Sequence, residues 1–90
     1  MNILKTIMDM RAAVAGCKPA YSAMNEVYDL LENNPDDPTQ ISRAHEVVGD
    51  ALWDPKDYVP NREADVLIDA ERLLNGYYET MSVLMNYEGA

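Results

Sequence analysis

The last third of this chain is written with the period of a helical seam. Leu67, Ala70, Leu74, Tyr77, Met81 and Leu84 succeed one another at steps of three and four residues. That spacing lines one side of a helix and is the a/d pattern of a coiled-coil or bundle core. It predicts a helix over 62–87, capped by Asn61, with Val59 or Pro60 available as a hydrophobic staple. At the rise of an α-helix it would be about 38 Å long, against about 21 Å for a helix of about 13–15 residues. Either the short helices stack end to end along the long one, or part of the long one finds another partner.

The shorter elements follow from the same periodicity. Ile3, Leu4, Ile7, Met8, Met10 and Val14 recur at helical spacing, with Lys5, Asp9 and Arg11 between them and Asn2 placed to cap. Gly16 offers a stop, and Pro19 suits the first turn of a new helix carrying Tyr21, Met24, Tyr28 and Leu31 as far as Asn33. Two arrangements fit: two helices meeting near Gly16–Pro19, or one long helix kinked where Pro19 lacks its amide proton. Asn33 to Asp37 reads as a turn. Asp37-Pro38-Thr39-Gln40 then reads as N-cap, first-turn proline and capping-box glutamine, starting a helix that runs to about Leu52 on Ile41, Ala44, Val48 and Ala51. Gly49 inside it costs about 1 kcal/mol against alanine, so packing must hold this helix. Trp53 to Pro60, with prolines at 55 and 60, is irregular. The expected fold is all-α: a three- to four-helix up-and-down bundle with a long C-terminal helix, as one domain over 1–90.

Several chemistries are excluded by what is missing. The single cysteine, Cys17, rules out an internal disulfide, and with one histidine it leaves no thiolate–imidazole zinc set. A reducing, cytoplasmic setting is the default. Val14-Ala15-Gly16-Cys17 resembles a lipoprotein processing site, but Lys5, Asp9 and Arg11 break the run of about 7–15 apolar residues that such a site requires. No stretch approaches the roughly 18 apolar residues of a membrane span. Phosphate-binding glycine loops, nucleophile elbows and paired cysteines are absent from the sequence. His45 stands beside Glu46, but neighbours on a helix point about 100° apart, so it reads as a surface or boundary histidine. Cys17 reads as a buried, inert thiol. Glu26, Asp29 and Glu32 form an acidic ridge without EF-hand-like spacing, and no Glu-x-x-His motif of di-metal bundles occurs. The expectation is therefore no enzyme, no metal and no cofactor.

Charge carries the functional reading. Residues 1–25 hold Lys5, Arg11 and Lys18 against Asp9, a net of +2, whereas 26–90 hold fifteen acids against four arginines and lysines, a net of −11. Such an imbalance speaks of partners rather than of fold. With a pI near 4.2 the chain would be repelled by long DNA or RNA, so the partner expected is a basic protein surface. The candidate binding residues are Glu26, Asp29, Glu32, Asp36, Asp37, Glu46, Asp50, Asp54 and Asp57, with Trp53 and Tyr58 as aromatic anchors; Tyr78 is a further anchor candidate, and Tyr77 reads rather as core. Trp53 serves equally well as a plug closing the bundle end. On the long helix, the side opposite the seam carries Asp65, Asp69 and Arg72 early but Val83 and Tyr87 late, so its last two turns are apolar nearly all round. Tyr77, Met81, Val83, Leu84 and Tyr87 are accordingly the candidate surface for a homodimer or higher homo-oligomer.

In size, acidity and tyrosine content the chain resembles bacteriocin immunity proteins and phage-encoded inhibitors of bacterial defence or host enzymes. The likeness is of composition and covers no motif. It implies a small non-catalytic protein that binds and inhibits or regulates a basic protein, a nucleic-acid-binding one included. Two alternatives stand beside it: a structural or adaptor oligomerisation subunit, and an oligomer that sequesters a small nucleotide in a cleft lined by Lys5, Arg11, Lys18 and Tyr21.

Overall fold

The computed structural model describes residues 3–34, 36–54, 56 and 58–89, with side chains as far as Leu84. Asn2, Pro35, Pro55, Asp57 and the side chain of Tyr87 lie outside the described residues. Among those described there are four helices and no strand: α1 Ile3–Ala13, α2 Lys18–Asn33, α3 Pro38–Leu52 and α4 Asn61–Gly89.

The boundary between α1 and α2 is a break rather than a kink. Val14 N–H donates to the carbonyls of both Met10 and Arg11 at 3.2 Å, Ala15 N–H to Ala12 at 3.3 Å, and Cys17 N–H to Val14 at 2.9 Å. The last turn thus tightens to three-residue spacing and stops. Gly16 does not act as a left-handed cap, because no described glycine has a positive φ. Cys17 takes the N-cap position of α2 with extended backbone, Pro19 sits in the first turn, and the Cys17 thiol packs into the core. Extended backbone at Cys17 redirects the chain, so the bend needs no glycine geometry.

The start of α3 is the one encoded by Asp37-Pro38. Asp37 Oδ1 accepts the Thr39 N–H at 2.9 Å, with Pro38 in the first turn. The reciprocal half of the capping box is replaced: Asp37 N–H donates to the Asn34 carbonyl at 3.4 Å rather than to Gln40. At α4, Ala64 N–H donates to the Pro60 carbonyl at 2.8 Å. Pro60 therefore holds the N-cap position and Asn61 is the first helical residue, one step from the expected boundary. Val59 is buried and Ala64 packs on the same core, the two positions of a hydrophobic staple.

One continuous core joins the four helices. Ile7 of α1, Met24, Val27 and Leu31 of α2, Ile41 and Val48 of α3, and Leu67 and Leu74 of α4 are all fully buried. α3 packs against α2 and α4, and α1 packs against α2 and more lightly against α4, so the helices form an up-and-down ring with α1 and α3 at opposite corners. No polar or charged residue is buried among those described.

The length mismatch is resolved by overhang. The 29 residues of α4 span about 44 Å, matching the long dimension of the molecule, 44 × 24 × 18 Å. The 15 residues of α3 reach about half as far. Asp36, just before α3, hydrogen-bonds Tyr77 of α4, so α3 begins abreast of Tyr77. Beyond that point Met81 still packs on the core, but Val83 is 63% and Leu84 47% exposed.

Candidate functional site

With Ile41, Ala44 and Val48 turned inward, the opposite side of α3 carries Arg43, Glu46 and Asp50, at three- and four-residue steps. Val47 and Ala51 lie on the flank toward α2, facing Ala23. Together α2 and α3 shape an open groove of about 1010 Å³. It begins at Tyr78 and Pro38, follows α3, and ends at Pro19 and Asp54. The floor is apolar: Ala23, Val47 and Ala51. The rims are acidic, with Glu26 on α2, Glu46 and Asp50 on α3, and Asp54 just past its end. Arg43 is the cation lining the groove, so four carboxylates meet one guanidinium, a local charge of −3.

A second, smaller depression of about 600 Å³ shares Glu46, Asp50 and Asp54 with the first and adds His45, Gly49 and Trp53. Trp53 ends α3, its N–H donating to the Gly49 carbonyl at 3.0 Å, and its side chain is 77% exposed. The plug reading is thereby corrected: Val59 and the aliphatic core close that end of the bundle, and the indole stands outside among carboxylates. Tyr58, in the same connection, is 79% exposed. Asp54 also shapes the loop, its Oδ1 accepting the Lys56 N–H at 2.8 Å.

The expected binding residues divide once the helices are in place. Glu26, Glu46, Asp50 and Asp54 converge on the groove, and Trp53 borders it. Asp29 and Glu32 are exposed but lie off it. Each three-residue step turns the helix by about 60°, so the ridge that starts at Glu26 winds away from α3. Asp36 and Asp37 serve the fold instead, one bonded to Tyr77 and the other capping α3. Burial, then the negative charge of Asp36, then its hydrogen bond raise the Tyr77 phenol above its usual pKa.

Of the expected self-association residues, Tyr77 and Met81 are drawn onto the molecule's own core, while Val83 and Leu84 remain exposed. The sequestering alternative sets its cationic cleft between copies of the chain; within the single chain, Arg11 is engaged in joining helices. Arg11 Nη1 donates to Asn25 Oδ1 at 2.9 Å and its guanidinium stacks 4.8 Å from the Tyr28 ring centroid, tying α1 to α2. Neither depression is lined by Lys5, Arg11, Lys18 or Tyr21. Among the described residues no group of three or more His, Cys, Asp or Glu could hold a metal ion, and no helix is long and apolar enough to cross a membrane.

Arg43 and Val47 are groove residues that the sequence reading did not single out, whereas Ala51 was expected on the apolar stripe of α3 and Tyr78 as an aromatic anchor. The α3 stripe was recoverable by plotting the helix opposite Ile41, Ala44 and Val48, but Tyr78 depends on where α4 crosses Pro38. Comparison with protein-family models, curated protein sequences and solved structures finds no significant match to this chain.

Proposed function

We propose that this chain is a small, acidic, non-catalytic protein that binds a basic protein surface through the groove along α3 and so inhibits or regulates its partner. One observation carries the reading: Glu26, Glu46, Asp50 and Asp54, from two helices and a loop, share one groove beside a 77% exposed tryptophan. A tryptophan ringed by polar groups is the composition of an interface hot spot. The carboxylates would steer a cationic partner and raise its on-rate. Where the partner's surface binds nucleic acid, they would occupy the positions of phosphates.

The test is capture from a host lysate on the immobilised wild-type chain and on the variant Glu26→Gln, Glu46→Gln, Asp50→Asn, Asp54→Asn. The proposal expects a basic protein retained by the wild type and lost by the variant. Equal retention by both would remove the groove from the mechanism.

A second reading, an oligomerisation or adaptor subunit, is supported by the overhang of α4 with Val83 and Leu84 exposed. Light scattering of wild type and Leu84→Asp tests it. A dimer that the substitution dissociates supports this reading, and a wild-type monomer at all concentrations removes it.

A further inference from the structure

We infer that the occupant of the groove is one basic amphipathic helix, lying antiparallel to α3; this rests on the binding role proposed above and names the kind of partner. The shape is the first argument. Two packed helices leave a straight trough between their ridges, and a third helix fills such a trough by its own ridge. This trough follows α3, the 15 residues from Pro38 to Leu52, about 22 Å or four turns.

The floor is the second argument. Ala23, Val47 and Ala51 are small or short apolar side chains, which lets a helix backbone approach closely. An extended lysine-rich segment could satisfy the carboxylates, but it would leave this floor against water. The rims complete the pattern, because Glu26 stands on the α2 side and Glu46 with Asp50 on the α3 side. The matching helix carries an apolar stripe with lysine or arginine on both of its flanks.

Direction follows from the charges along the trough. Asp50 and Asp54 lie at the C-terminal end of α3, while Arg43 lies toward Pro38 and Tyr78. A helix has a partial positive charge at its N-terminus and a partial negative charge at its C-terminus. The occupant's N-terminus therefore belongs at Asp50 and Asp54, and its C-terminus toward Arg43. α3's own dipole favours the same sense.

The test uses a synthetic 15-residue peptide of Leu, Ala and Lys with one apolar stripe, and a scrambled peptide of equal charge and composition. Affinity is read by anisotropy of a dye on the peptide, and direction by NMR with a nitroxide at either peptide end. The striped peptide is expected to bind at least about tenfold tighter than the scrambled one, and Ala51→Gln, which fills the floor without changing charge, is expected to erase that preference. An N-terminal nitroxide should broaden the Trp53 indole signal and a C-terminal one the Tyr78 ring signals. Equal binding of both peptides overturns the helix inference while leaving the acidic-groove proposal standing. No binding of either overturns both. Binding with the nitroxide pattern reversed overturns the antiparallel direction.

Discussion

Asp50 is poorly placed for the stability of α3. It lies in the last turn of Pro38–Leu52, a turn without a basic residue, where unpaired carbonyls concentrate negative charge. Glu46 lies four residues earlier, on the same face, and like charges at that spacing repel. The dipole effect at a surface site is about 0.3–1 kcal/mol, and the like-charge pair adds about 0.2–0.5 kcal/mol. Asp50→Asn should therefore stabilise the protein by roughly 0.5–1.5 kcal/mol at low salt. For a small protein with a urea dependence of about 1–1.5 kcal/mol per molar, the unfolding midpoint should rise by roughly 0.3–1.5 M. Far-UV circular dichroism in urea measures this directly. At about 1 M salt the screening length is about 3 Å and most of the gain should vanish. A midpoint that stays or falls, or a gain indifferent to salt, would refute the reasoning. A residue that weakens its own helix while lining the groove is what a binding function, rather than folding, would retain.

Three further outcomes follow. Gly76→Ala should stabilise by about 1 kcal/mol, because an added Cβ meets nothing within 4 Å; Gly49→Ala, whose Cβ would lie 3.4 Å from Glu71 Oε2, should gain no more, and thermal unfolding ranks the two. Tyr77 has its pKa raised in the folded chain, by burial first and by Asp36 second, so the fold holds that proton more tightly and its contribution is lost as pH climbs from about 10 through the folded value; Tyr77→Phe should flatten the alkaline fall in stability, and an unchanged slope would contradict the raised pKa. Trp53, exposed among Glu46, Asp50 and Asp54, should be quenched more efficiently by caesium than by iodide relative to free tryptophan, with the difference shrinking in salt.

The sequence carried the elements better than their edges. The Asp37-Pro38 start and the Leu67–Met81 seam were legible because capping chemistry and helical period are local. The break near Gly16 was legible, but its geometry was not, because a three-residue tightening and an extended Cys17 make the turn without a left-handed glycine. Asn61 yielded the cap to Pro60 because any backbone carbonyl can accept that bond. For the site, acidity was legible but convergence was not. Glu26 joins Glu46 and Asp50 only because α2 and α3 pack side by side, whereas Glu32, equally acidic, winds out of reach. Asp36 and Tyr77 are 41 positions apart and belonged to different expected surfaces, until the overhang of α4 brought them together. The outward turn of Trp53 depends on Val59 reaching the core from the connection, which no periodicity encodes.

The central claim is that the acidic groove of α3 binds a basic protein. Its most direct test is the affinity of the captured partner, measured by titration calorimetry from low to high salt for the wild type and for the four-carboxylate variant. The account predicts wild-type affinity falling steeply with salt and weak, nearly salt-independent binding by the variant. Wild-type affinity that stays flat from low to high salt would contradict it.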